Sequence, residues 1–167
     1  MSYKDYISTQ TISTDIHISP KDIHSSINEA IYSILVSRVE GLCNQEGYIL
    51  KDSVKIIQRN MGKIMNINNT SQIIYRIIYQ ADVISPQKDS DFECYIESST
   101  KMGIIGYIKT GQNGGLKESP FLIIIPREYF VDSDIVDKKV GDKIKVSVLA
   151  VRNKYKTTQI QIVAKPL

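Results

Sequence analysis

The hydrophobic pattern changes its period along the chain, and the changes mark out the predicted elements. From Thr11 to Ile18, Ile16 and Ile18 alternate with polar residues, the pattern of a half-buried strand. Ser19, Pro20 and Asp22 then read as a helix start. Ser19 is a good N-cap, Pro20 suits the first helical position, and Asp22 completes an acidic variant of the capping box. Ile23, Ile27, Ala30, Ile31, Ile34 and Leu35 follow at intervals of three and four, so one helix with a single apolar stripe is predicted.

After the helix the period drops to two. Val39 to Cys43 and Tyr48 to Lys51 are predicted to pair as a hairpin, with Asn44-Gln45-Glu46-Gly47 as its turn. A longer strand is predicted from Gln72 to Ile84. Tyr75, Ile77, Tyr79, Ala81 and Val83 face one way, and Arg76, Gln80 and Asp82 share the other face with Ile74, Ile78 and Ile84. Ser85-Pro86 ends it, because proline removes a donor and restricts its predecessor. A domain boundary is placed there, dividing the chain into residues 1–85 and 86–167.

Beyond Pro86 the pattern is all β. Phe92 to Glu97, Gly103 to Lys109, Phe121 to Ile125, Lys143 to Arg152 and Thr157 to Ala164 make the five strands of a small Greek-key barrel of the OB type. Lys154, Tyr155 and Lys156 fall at the tip of the last hairpin. OB-type barrels bind oligonucleotides on one face and in the loops beside it, so this mixture of lysine and tyrosine is a candidate RNA surface. The predicted class is therefore α+β.

Composition narrows the function classes. The chain has 167 residues, 42% of them hydrophobic and 23% charged, which suits one ordinary folded domain or two small ones. A net charge of +3 is compatible with an anionic partner without demanding one. Cys43 and Cys94 are far apart, with no Cys-x-x-Cys spacing, so buried reduced thiols are expected rather than a disulfide or a zinc site. No apolar run approaches the roughly 20 residues of a membrane span, and the polar start MSYKDYISTQ lacks a signal-peptide core; an intracellular protein is expected. His17 and His24 are placed apart, one on the strand and one near the helix start, and there is no Gly-x-Ser-x-Gly elbow. No catalytic residue, metal ligand or cofactor is predicted. Heavy use of Ile, Lys and Asn with no Trp points to an AT-rich genome.

Two ordered motifs carry a resemblance. Val39-Glu40-Gly41-x-Cys43 followed by Gly47-Tyr48-Ile49-Leu50, and Tyr75-x-Ile77-x-Tyr79-x-Ala81-x-Val83-Ile84-x-Pro86, resemble the stalk subunit of multisubunit RNA polymerases. This family comprises the seventh-largest chain of eukaryotic polymerase II and its archaeal counterpart. The likeness runs from about Ile12 to the end, and the Glu-Gly-x-Cys form is closer to the polymerase II member than to its polymerase III relative.

The resemblance implies a non-catalytic, two-part subunit. Its N-terminal domain, a twisted antiparallel sheet wrapped on one helix, would plug into the polymerase core, while an OB-type barrel points toward emerging RNA. The docking tip would correspond to Gln58 through Ile64, with Arg59, Asn60, Met61, Gly62 and Lys63 at its centre and Glu40 and Gly41 of the neighbouring hairpin beside it. Read from residues alone, the same loop is a plain basic turn. The implied partners are the largest polymerase subunit, the small sixth-subunit-like chain, a helical fourth-subunit-like stalk partner that is either a separate chain or missing, and nascent RNA.

The sequence also departs from the family pattern. Cys94 stands where a glycine is usual in the first barrel strand, and Ile104 where an aromatic usually follows the glycine at Gly103. Base stacking on an aromatic contributes roughly 1–3 kcal/mol per base, so backbone contact is the expected mode of RNA binding. Lys101, Lys109, Arg127, Lys154 and Lys156 are the candidate phosphate contacts and Tyr107 and Tyr155 the candidate stacking platforms; the alternative for each lysine or arginine is a solubilising surface charge. The eroded motifs suggest a large DNA virus with its own polymerase, hence a virion or cytoplasmic factory, with an AT-rich protist and its nucleus as the alternative. A second function class also stands: a free OB-fold RNA-binding protein of translation or RNA decay.

Overall fold

The computed structural model describes residues 2–23, 26–131 and 138–167. Its described elements are ten strands, one α-helix and three short 3-10 turns. The chain forms two compact units. One holds residues 8–40 and 49–83; the other holds residues 1–7, 41–48 and 84–167.

The first unit is organised by one long strand. Its strands are β1 (Ile7–Ile18), β2 (Tyr48–Ile49), β3 (Lys55–Arg59), β4 (Lys63–Ile67) and β5 (Thr70–Ile84), and its helix is α1 (Ile27–Val39). β1 and β2 flank β5 in the sheet, and β3 and β4 pair with successive stretches of β5, Arg59 opposite Ile77 and Lys63 opposite Ile74. The turn from β4 into β5 uses Asn68 and Asn69, both at positive φ, the geometry for which asparagine is suited in a tight hairpin. The alternation predicted for β5 is present: Tyr75, Ile77, Tyr79, Ala81 and Val83 are all buried. They share a core with Ile16 and Ile18 of β1 and with Ile31 and Leu35 of α1. Burying one such aliphatic side chain stabilises by about 1.5–3 kcal/mol, so this seam holds the helix and the sheet together.

Both ends of the helix differ from the expectation. Ser19, Pro20 and Asp22 make only a single 3-10 turn, Pro20–Asp22, in which Ser19 forms no side-chain cap and Ile23 returns to extended backbone. The helix begins instead after Ser26, whose Oγ accepts from the Glu29 backbone N–H at 3.4 Å. Ser-x-x-Glu is itself a capping-box spacing, and it lies directly before an unbroken helical run. The expectation for His24 lies outside the described residues. At the other end the helix continues to Val39, so no strand runs from Val39 to Cys43. Gly41 takes φ +70° just past the Glu40 cap, the left-handed position that commonly ends a helix. Of the predicted hairpin only the Cys43–Tyr48 bridge forms, closed by Asn44 N–H to the Gly47 carbonyl at 2.8 Å.

The second unit contains a closed barrel of β6 (Asp91–Thr100), β7 (Gly103–Tyr107), β8 (Phe121–Pro126), β9 (Lys143–Arg152) and β10 (Ile160–Pro166). The strand order around it is β10-β8-β7-β6-β9, with β8 and β10 parallel and the remaining neighbours antiparallel. A five-stranded closed barrel with this connectivity fits the OB type. Its interior is filled by Phe92, Cys94, Ile96, Ile104, Phe121, Ile123, Val146 and Ile162, with the Phe92 and Phe121 rings 5.5 Å apart. The N-terminal segment joins this unit through Tyr6, whose hydroxyl donates to the Asp91 carbonyl at 3.2 Å and accepts from its N–H at 3.1 Å.

Candidate nucleic-acid interface

At one end of the barrel, the β6–β7 turn carries Lys101 and the exposed Met102. The Arg127 N–H donates to the Met102 carbonyl at 3.2 Å, which brings Lys101 and Arg127 to the same rim. Gly103 is required here for two reasons. Its φ is +142°, and a Cβ would stand 2.2 Å from the Ile125 carbonyl oxygen of the paired strand.

The β9–β10 loop carries Lys154, Tyr155 and Lys156. Tyr155 is 68% exposed, and the Lys156 ammonium lies 5.5 Å from its ring centroid. The loop is held from both sides. Thr157 Oγ1 donates to the Lys154 carbonyl at 2.7 Å, so the loop extends through Gln159 and β10 starts at Ile160, not at Thr157. On the other side the Cys43 N–H donates to the Thr157 carbonyl and the Lys156 N–H to the Cys43 carbonyl, both at 2.8 Å. Asn153 Nδ2 adds a bond to the Asn44 carbonyl at 2.8 Å. The hydrogen bonds of the Cys43–Tyr48 segment thus brace this barrel loop. Beside the loop lies a shallow cavity of about 150 Å³ lined by Leu122, Arg152, Lys154, Thr157, Thr158, Gln159 and Gln161. Its lining carries two cations and no carboxylate.

Between these loops the outer face of β7 and β8 is aliphatic. Ile105 pairs with Ile124, which pairs in turn with Val163 of β10. Ile124 is 38% exposed. Ile104 points into the barrel and is fully buried, so a side chain at this position presents no surface to a base. That corrects the reading of Ile104 as a lost base-stacking platform.

Tyr107, a candidate platform, is only 9% exposed and its ring stacks on Tyr95 at 5.8 Å and 28°. Lys109 lies with its ammonium 4.3 Å from the Tyr95 centroid, and Lys143 lies 5.5 Å from it. Lys143 also approaches Glu93 at 4.0 Å across exposed surface. Tyr95, Lys143 and Arg152 were missed in the sequence. Outward alternation on β6 together with the pairing of the first and fourth barrel strands, Tyr95 opposite Lys143, is the signal that would have found the first two.

In the sheet unit, the β3–β4 loop spans the expected tip. Asn60 organises it: its Oδ1 accepts from the N–H groups of Gly62 at 3.2 Å and Arg76 at 3.0 Å. Arg59 Nε donates to Asn28 Oδ1 at 2.7 Å, and its guanidinium lies 5.6 Å from the Tyr75 centroid. Gly62 has φ +85°, and a Cβ there would come within 2.6 Å of Tyr75 Cε1. Its close backbone approach is therefore to Tyr75 of its own chain. Met61 is 95% exposed, and Ile64, Met65 and Lys63 are exposed beside it. Gly41 serves the helix end, while Glu40 buries an Oε1 that has no hydrogen-bond partner among the described residues.

Both cysteines are free and buried. Burial pushes the Cys94 thiol up to about 12. It also raises Cys43, against a smaller lowering by a hydrogen bond to Thr157. Neither has the depressed pKa of a reactive thiol. Among the described residues no cluster of three or more His, Cys, Asp or Glu could hold a metal ion, and no helix is long and apolar enough to cross a membrane.

No known family profile matches the chain. Over 166 residues it is 26% identical to "Putative DNA-directed RNA polymerase subunit L376" of Acanthamoeba polyphaga mimivirus, covering 91% of this chain and 77% of the relative.

Proposed function

We propose that the chain is a non-catalytic stalk subunit of a DNA-directed RNA polymerase, seated on the core through residues 1–85 and directing its barrel, residues 86–167, toward nascent RNA. The observation that carries this reading is the match to a viral polymerase subunit across 91% of the chain, which spans both structural units. An OB-type barrel with cationic loops supports the RNA-facing half.

The exposed side chains of the β3–β4 region support the docking half. Met61 and Ile64 are large apolar groups held out in solvent, flanked by Arg59 and Lys63. A soluble surface gains nothing from such a concentration, whereas an interface core favours methionine and arginine. The partners are then the largest polymerase subunit, the small sixth-subunit-like chain and a helical stalk companion. A virion or cytoplasmic factory is the corresponding location for a virally encoded polymerase. Changing Arg59, Met61 and Lys63 together to Ala tests the docking surface. The folded variant is expected to lose co-assembly with the polymerase, and unchanged assembly would refute this tip as the contact.

A further inference from the structure

We propose a second single-stranded RNA subsite on the β6 flank of the barrel, built on Tyr95 with Lys109 and Lys143 and backed by Tyr107, beside the aliphatic row of β7 and β8. It rests on the RNA-facing reading of the barrel and names where on it a base would sit.

The ordinary face is poorly equipped for bases here. Its outward row, Ile105, Ile124 and Val163, offers aliphatic side chains with no π face and no charge. A part-exposed aromatic lies beside this row, on β6. Tyr95 on β6 stands opposite Tyr107 on β7 on one side and opposite Lys143 on β9 on the other. Tyr107, almost wholly buried, backs Tyr95 with its ring 28° from parallel and centroids 5.8 Å apart, so the part-exposed Tyr95 ring is the platform. Lys109 and Lys143 both bring an ammonium to Tyr95, at 4.3 and 5.5 Å.

Two ammonium groups drawn to one ring concentrate positive charge over an aromatic platform. A base and its flanking phosphates supply what that arrangement lacks. The base replaces the ammonium groups on the ring, and each lysine swings to a phosphate on its long stem. The exchange is favourable because an exposed cation–π contact is weaker than base stacking on an aromatic, and phosphate pairing adds counterion release. Glu93 already faces Lys143 and sets a limit on how closely a phosphate approaches that side. An acidic peptide would be served by the lysines alone; the paired tyrosines favour a nucleic acid strand.

The test uses the full chain and a short fluorescein-labelled oligouridine, read by anisotropy over a salt series, with a polyglutamate peptide as competitor. Tyr95→Leu is expected to weaken binding about tenfold, while Tyr95→Phe retains it. Lys109→Gln with Lys143→Gln is expected to flatten the slope of log K against log salt by about 1.4, the loss of two contacts on a single strand. These lysines are at the surface, so the double variant reads the site even where Tyr95→Leu impairs folding. Parent-like binding by the double-lysine variant, with loss only in Lys154→Gln/Lys156→Gln, overturns the subsite and leaves the loop reading standing. No oligouridine binding by the parent chain overturns the subsite and the RNA-facing reading together. Competition by polyglutamate that depends on the two lysines but not on Tyr95 assigns the patch to an acidic peptide and also overturns it. Polymerase co-purification of each variant separates all these results from failure of the polymerase reading.

Discussion

Cys94 and Gly106 share one space inside the barrel: a Cβ built on Gly106 would stand 3.0 Å from Cys94 Sγ and 3.1 Å from the Tyr95 carbonyl oxygen. The Cys94 sulfur sits where Gly106 on the adjacent strand leaves room. Gly106→Ala should therefore destabilise the barrel by about 1–3 kcal/mol through overpacking. Cys94→Ala in the same chain should restore part of that loss by removing the sulfur. Urea midpoints of the two variants check this, and a neutral Gly106→Ala would contradict the packing.

Cys94 also gives a pH dependence with a defined sign. Its thiol is raised by burial from an ordinary value of 9.0 to about 12. Below about pH 9 it is protonated in both folded and unfolded chains and contributes no slope. Between about 9 and 12 the unfolded chain gives up this proton while the folded chain keeps it, so stability falls as pH rises through that window. Cys94→Ala should make the decline shallower. Alkylation of the native chain near pH 8 should leave both cysteines unmodified, and labelling should follow only on unfolding.

Helix α1 separates two capping signals that look alike in the sequence. Ser26→Ala should cost about 1 kcal/mol by removing the acceptor for the Glu29 N–H, while Ser19→Ala should leave stability nearly unchanged. Thermal unfolding of the two variants checks this directly. Equal effects would mean that the helix starts at Pro20.

Ser19 and Ser26 also mark the limit of what is legible in the sequence. The strand pattern of β5 and of the barrel can be read directly, because every second residue from Tyr75 to Val83 is apolar and the barrel strands alternate in the same way. The helix start cannot, because the Ser-Pro-x-Asp signal is locally valid yet makes only one 3-10 turn. The stretch after the helix misleads for a different reason: Val39 has the β-branched character of a strand residue, yet it is the last residue of the helix and packs, partly buried, against the sheet core. The aromatic patch is invisible when lysines are weighed one by one. Tyr95, Lys109 and Lys143 are brought together by cross-strand register, which joins residues from distant stretches of chain. Likewise, no local feature of Cys43 foretells its bonds to Lys156 and Thr157.

Gly62 and Met61 separate stability from assembly at the tip. Gly62→Ala should destabilise the sheet unit, since φ +85° disfavours a side chain and Tyr75 occupies the space. Met61→Ala should leave stability within about 0.5 kcal/mol, because the side chain is almost wholly in solvent. Its effect should appear in assembly alone, measured as polymerase recovered per mole of folded chain.

The most direct measurement is recovery of the tagged full-length chain from the cells or viral factories that express it, with its companions identified by mass spectrometry. Stoichiometric recovery of the largest RNA polymerase subunit is the predicted result. Recovery of the chain free, or with ribosomal or RNA-decay proteins in place of polymerase subunits, would contradict the account.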